Sequence, residues 1–211
     1  MFFNLARCEN SFGKMIYFGS GAEFSRQHWT PQMAEEVFEQ HVPLDQYGYS
    51  KYLMNKYASL KGNIYNLRIF GLFGKYDDWR YRFISNACCK AVLGLPIRMR
   101  HNAIFDYLYI DDLVAIVDWV INNKQKYKDY NVCSGEAVSY QSLAGIILEA
   151  SGKKLDIIVE NQSDAYEYSG NNSRIIAETG ITLTEICCSV RELYEWYSEN
   201  SSIIDKELFV Y

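Results

Sequence analysis

Several signatures that would declare a function at once are missing from these 211 residues. There is no Cys-x-x-Cys pair and no histidine cluster among three histidines in all, so no zinc-site spacing is present and no bound metal is expected. The six cysteines fall as Cys8, Cys88-Cys89, Cys133 and Cys187-Cys188. Adjacent pairs and single residues of this kind suit buried, reduced thiols in the cytoplasm better than disulfides. No apolar run approaches 18 residues, and Arg7 and Glu9 interrupt the opening segment too early for a signal peptide, which leaves no expected membrane partner. No basic block exists either. Lysine and arginine (21 residues) are scattered and outnumbered by 26 acidic residues, with a net charge of -5, so a nucleic-acid surface is not expected. What remains is an ordinary globular composition, 49% hydrophobic and 22% charged, sized for one domain or one large domain with a small lobe.

The hydrophobic pattern alternates strands with helices. Residues 1–10 read as a helix broken at Ser11-Phe12-Gly13, and residues 14–19 as a short apolar strand of the kind buried on both faces of a parallel sheet. A long polar and aromatic excursion over residues 23–43, with a short helix at 32–40, leads to a helix that begins near Tyr47. Residues 63–69 predict a strand, 78–93 a helix, 97–104 an irregular or weakly extended stretch and 105–110 a strand. Asp111-Asp112 then opens a helix to about residue 122, where two carboxylates suit the positive end of the helix dipole. A strand at 129–133, a helix at 139–151, an edge strand at 155–159 and a last amphipathic helix at 184–199 complete the series. This order predicts an α/β architecture with ligands at the carboxyl ends of the strands.

One stretch has chemistry in it. In Tyr47-Gly48-Tyr49-Ser50-Lys51, the tyrosine and lysine are four residues apart and share a helix face. A free phenol titrates near pH 10. A neighbouring ammonium favours the phenolate and makes such a tyrosine usable as an acid or base. The same spacing also arises by chance in a chain with 18 tyrosines.

Four segments in order change that balance: Phe18-Gly19-Ser20-Gly21-Ala22-Glu23-Phe24, Tyr47 to Lys51, Leu67 to Gly74, and Phe105 to Leu113. Together with Tyr130-Asn131-Val132-Cys133-Ser134-Gly135, they resemble the carboxyl-terminal two-thirds of extended short-chain dehydrogenase/reductases, the NAD-dependent nucleotide-sugar epimerase and dehydratase family. The resemblance implies the carboxyl-terminal part of a Rossmann-type parallel sheet with a small α+β substrate-binding lobe. Residues 1–133 would hold the partial Rossmann-like domain, and 134–211 mainly the lobe. It further implies Ser20, Tyr47 and Lys51 as the catalytic set, with Ser20 on a sugar hydroxyl or keto oxygen, Tyr47 as acid/base and Lys51 on the nicotinamide ribose. Tyr47, Lys51 and Phe70 would contact NAD or NADP. Ser20, Gly21, Ala22, Gly71, Arg82, Arg98 and Arg100 would contact a nucleotide-sugar substrate. Ser20 as a plain turn residue and Lys51 as a solvated surface charge remain the alternatives.

The departures from the family pattern narrow the chemistry. Dehydratases carry Asp-Glu directly after the hydroxyl residue, whereas Gly21-Ala22 follow Ser20. Epimerase-reductases of the GDP-fucose synthase type use a cysteine two residues after the serine and a later histidine, and those places hold Ala22 and Arg82. A 4-epimerase or a simple ketoreductase fits best, with a catalytically dead remnant or a sugar-nucleotide-binding partner subunit as the alternative. No Gly-x-x-Gly-x-x-Gly turn for the cofactor's pyrophosphate occurs anywhere. The expectation is therefore a truncated chain, inactive alone, that self-associates as a homodimer or otherwise, through the exposed edge of the 14–19 strand or through the Tyr47 helix.

Overall fold

The computed structural model describes residues 1–161 and 166–209. Its strands are β1 (Met15–Ser20), β2 (Ile64–Ile69), β3 (Gly71–Phe73), β4 (Ile97–His101), β5 (Ile104–Tyr109), β6 (Asp129–Val132), β7 (Ala137–Ser139), β8 (Ile157–Asn161) and β9 (Glu167–Tyr168). Its helices are α1 (Phe2–Ala6), α2 (Gln46–Ser59), α3 (Phe83–Leu93), α4 (Ile110–Asn122), α5 (Tyr140–Ser151), α6 (Ser173–Thr179) and α7 (Ile186–Glu199). The architecture is α/β with parallel sheets, as the alternation predicts. Among the described residues no helix is long and apolar enough to cross a membrane.

β1, β2 and β6 form a parallel sheet in the order β1-β2-β6, with Ser20 opposite Ile69 at the carboxyl end. Side chains alternate across it. Leu67, Tyr130 and Val132 face Leu113, Ile116 and Val120 of α4, while Tyr17 and Ile64 pack against Ala58 of α2. β5 runs through the second sheet: its carboxyl half pairs with β3, and its amino half lies between antiparallel β7 and parallel β9. β4 and β8 form a parallel pair. α3, α5 and α7 share the largest apolar cluster, which includes Ile84, Cys88, Leu143, Ile147, Leu193 and Tyr197.

The structure corrects several expectations. β1 is not buried on both faces: Phe18 is 49% exposed, because its side lies along an open cavity rather than under a helix. The helix expected at 32–40 shrinks to a single turn at Glu35–Val37. Gln32 and Glu39 take left-handed backbone (φ 52° and 76°), and Met33 pairs with Gly170, so long-range contacts override the local pattern. The helix expected from 78 starts at Phe83, since Tyr76 is left-handed (φ 66°) and Arg82 is extended. The stretch after Pro96, expected to be irregular or weakly extended, is strand β4, ordered by pairing with β8, and β3, β7, β9 and α6 are short elements that the pattern does not mark. Cys88, Cys89 and Cys133 are buried, but Cys8, Cys187 and Cys188 are exposed, and all six are free thiols.

Two contacts set α2 in place. Asp45 caps it, accepting the Gly48 amide at 2.8 Å. Gly48 then lies so close to the loop after β1 that a Cβ there would stand 2.5 Å from the Ala22 carbonyl and 3.0 Å from the Pro43 ring. A glycine inside a helix destabilises it by about 0.5–1 kcal/mol relative to alanine, so the close approach is what the residue provides. Gly48→Ala is expected to lower stability by about 1–3 kcal/mol through overpacking, in spite of the better helix propensity. A urea denaturation midpoint that rises on substitution would contradict this packing.

Candidate functional site

Ser20 ends β1, and the chain turns sharply over Gly21–Glu23. The turn is a reciprocal capping box: the Ala22 amide donates to Ser20 Oγ at 3.2 Å, and the Ser20 amide donates to Glu23 Oε1 at 3.2 Å. Glu23 is fully buried and packs over Gly19, where any Cβ would collide with the Asn66 and Glu23 side chains.

A chain of buried charge continues from Glu23 across the sheet. Arg68, fully buried on β2, donates through Nε to Glu23 Oε2 (2.9 Å), through Nη1 to Asn131 (2.9 Å) and through Nη2 to Asp129 Oδ2 (2.8 Å). Asn66 donates to both Glu23 oxygens at 3.1 and 3.0 Å. The other Asp129 oxygen accepts from Arg174 at 3.1 Å, and Arg174 also reaches Glu35 and Glu36. The Arg68 guanidinium lies over the Phe24 and Phe38 rings, 4.7 and 5.3 Å from their centroids. Burial pushes the Glu23 carboxyl up, against the pull of Arg68 beside it. The network fixes the Ser20 turn from below.

From above comes α2. Lys51 Nζ donates to the Phe18 carbonyl on β1 at 2.7 Å and lies 5.8 Å from the Tyr47 ring centroid, so tyrosine, lysine and the Ser20 strand are tied together. Ser20, Tyr47 and Lys51 line one cavity of about 560 Å³, walled by Phe18, Trp29, Phe70, Phe105 and Tyr168. Burial pushes the Tyr168 hydroxyl up, and Ser20 beside it pulls the other way.

Of the other residues singled out in the sequence, Ala22, Phe70 and Arg82 line this same cavity. Gly21 is buried behind it, where a Cβ would press on Tyr168 and Phe70. Gly71 lines a narrower space of about 140 Å³ that shares Phe70, Leu72, Arg82 and Phe105 with the first. It also needs its hydrogen side chain, since a Cβ would stand 2.6 Å from the Asp106 carbonyl. Arg98 and Arg100 sit apart from Ser20, in a third space of about 430 Å³ with Arg80 and Lys90; Tyr81, Phe83 and Tyr140 are walls common to the second and third. Burial and the neighbouring Arg98 push the Lys90 ammonium down. The three spaces adjoin, running from the hydroxyls of Ser20 and Tyr47 to a cluster of four cations.

Glu23, Arg68, Gly19 and Gly48 were not identified from the sequence as parts of the site. The signal for Arg68 was there: a charged residue inside the apolar strand Leu67-Arg68-Ile69 must be paired if buried. Arg68→Met leaves the Glu23 and Asp129 carboxylates without their shared cation, and removing one partner of a buried pair costs about 3–5 kcal/mol. Chemical denaturation of the variant should read a loss of that size. A loss below about 1 kcal/mol would show that the pair does not hold the turn.

Residues 3–133 match the NAD dependent epimerase/dehydratase family. An ADP-L-glycero-D-manno-heptose-6-epimerase of Brachyspira hyodysenteriae is 26% identical over 128 residues, which is 54% of this chain and 40% of that protein. A second such epimerase, from Nitratidesulfovibrio vulgaris, is 22% identical over 71% of this chain and 50% of its own length. The chain thus spans about 40–50% of these curated relatives. Among solved structures, the dTDP-glucose 4,6-dehydratase of Bacillus anthracis in complex with NAD superposes with a TM-score of 0.80 at 16% identity, over 98% of this chain and 69% of that one. The Bordetella bronchiseptica enzyme WbmG in complex with NAD and UDP gives 0.77 at 16% identity, over 94% of this chain and 65% of the other. These likenesses give the Rossmann-type fold, and with the match over residues 3–133 the chain belongs to the NAD-dependent epimerase/dehydratase family.

Proposed function

We propose that this chain carries the acid/base and sugar-nucleotide portion of an NAD(P)-dependent nucleotide-sugar enzyme, a 4-epimerase or a ketoreductase. The observation that supports this most is the single cavity shared by Ser20, Tyr47 and Lys51, open towards the Arg80, Lys90, Arg98 and Arg100 cluster. In this reading the sugar lies over Ser20, whose hydroxyl hydrogen-bonds the reacting oxygen. The Tyr47 hydroxyl takes and returns the proton of that oxygen. The distal cations hold the diphosphate.

The fit of the cofactor is partial. In this reading Tyr47 and Lys51 would meet the nicotinamide ribose, and no glycine-rich strand-to-helix turn for the pyrophosphate occurs in these 211 residues. NAD(P), when bound, supplies hydride acceptance and return. Elimination of water is disfavoured on this chain's own residues. Glu23, the nearest carboxylate after Ser20, has both oxygens engaged by Asn66 and Arg68 and does not line the cavity. A second reading is a subunit that binds a nucleotide sugar without turning it over.

Two outcomes separate these readings. With NAD(P)+ and a nucleotide sugar the epimerase gives the C4 epimer, with NAD(P)H and a keto nucleotide sugar the reductase gives the alcohol, and Tyr47→Phe lowers turnover by at least about 100-fold, the scale of lost acid/base catalysis, while sugar-nucleotide affinity stays within about threefold. Sugar-nucleotide binding with no turnover at any cofactor concentration would support the binding subunit instead.

We also propose that the chain self-associates with a second copy, in the cytoplasm. Among the described residues β1 has a strand partner on one side only, and Phe18, Tyr47, Tyr49 and Leu53 are exposed on and beside it. Light scattering should read twice the 24.5 kDa chain mass at micromolar concentration. A stable monomer throughout that range would contradict it.

A further inference from the structure

The cavity over Ser20 holds a cation with no assigned task. Arg26 lines it, and its guanidinium carbon lies 5.1 Å from the Trp29 ring centroid. Trp29 is itself fixed: its Nε1 donates to the Phe24 carbonyl at 3.0 Å, and its ring is 4.3 Å from that of Tyr168. A guanidinium resting against an aromatic ring leaves N–H donors free to meet an anion. No hydrogen bond or ion pair to the Arg26 guanidinium is present among the described residues, whereas Lys51 in the same cavity is engaged by the Phe18 carbonyl and Arg82 leans on Asp77 at 3.9 Å. None of the described residues lining the cavity is acidic. The diphosphate has its own cations farther along, at Arg80, Lys90, Arg98 and Arg100.

We infer that the sugar accepted here is acidic: a nucleoside diphosphate hexuronate, or a sugar with an equivalent carboxylate, paired in two-point fashion by Arg26. This rests on the function proposed above and names its substrate class. A planar guanidinium fork matches a planar carboxylate in two-point fashion, and the Trp29 ring beside it limits the orientations it takes. A neutral hexose would bring the guanidinium no counter-charge.

Calorimetric titration of the 211-residue chain tests this with matched pairs, UDP-glucuronate against UDP-glucose and GDP-mannuronate against GDP-mannose, at one ionic strength. The acidic member should bind about tenfold tighter or more, the scale of a charge-assisted pair. Arg26→Gln should bring the ratio of the two Kd values close to one, and Arg26→Lys should restore part of it. Arg26 is exposed on a short turn, so neither variant removes core packing. Equal affinities for both members in the unmodified chain, or a preference that persists in Arg26→Gln, would overturn the inference while leaving the proposed function standing. Failure of every nucleotide sugar and of UDP, GDP, ADP, CDP and dTDP to bind would overturn both.

Discussion

The Arg68 guanidinium, buried between Glu23 and Asp129, is the interaction on which the rest of the site depends. Placing a cation inside a sheet is unfavourable unless its hydrogen bonds are met and its charge is balanced. Here Glu23, Asn131 and Asp129 meet them, and two aromatic rings close the space. The consequence lies at the other end of Glu23. A carboxylate held by Arg68 and Asn66 is also the group that accepts the Ser20 amide, so a charge pair in the core fixes the backbone that carries Ser20. This is positioning rather than chemistry, since Glu23 does not reach the cavity.

Glycines transmit that placement because the backbones come close. Gly19 leaves room for the Glu23 carboxylate, and Gly48 lets the amino-terminal turn of α2 rest on the Ala22 carbonyl. With Asp45 capping the helix and Lys51 bonded to the Phe18 carbonyl, Tyr47 is brought to the rim of the same cavity as Ser20. Elsewhere in the fold, Asp106 takes the Ser134 and Gly135 amides at 2.7 and 3.0 Å, and Asp112 takes Thr184, so β5 and α4 are tied to the segments that follow. The acidic residues of the 105–113 segment therefore hold structure.

Long elements with a strong local pattern were legible in the sequence: β1, β2, β5, α2, α4, α5 and α7 lie close to where periodicity puts them. What escaped was decided at a distance. β4 exists because β8 pairs with it, and the residue 32–40 segment is bent by contacts with Gly170 and Asn131 that no local window contains. In the site, Ser20, Tyr47 and Lys51 were legible because their order resembles a family, and the structure brings the three to one cavity. Arg98 and Arg100 stand with Arg80 and Lys90 at the far end of the groove, a clustering that sequence spacing cannot reveal. Arg26, a lone arginine in a polar excursion, carries no signal in the sequence, since its neighbour Trp29 is set against it only by the fold.

The most direct test of the account is a crystal structure of the chain soaked with a nucleotide sugar that it binds. The account predicts the sugar ring within hydrogen-bond reach of Ser20 Oγ and the Tyr47 hydroxyl, with the diphosphate towards Arg82 and the Arg80, Lys90, Arg98 and Arg100 cluster. Density for the ligand elsewhere, for example in the space bounded by Glu35, Lys126 and Arg174, with the Ser20 cavity left to water, would contradict it.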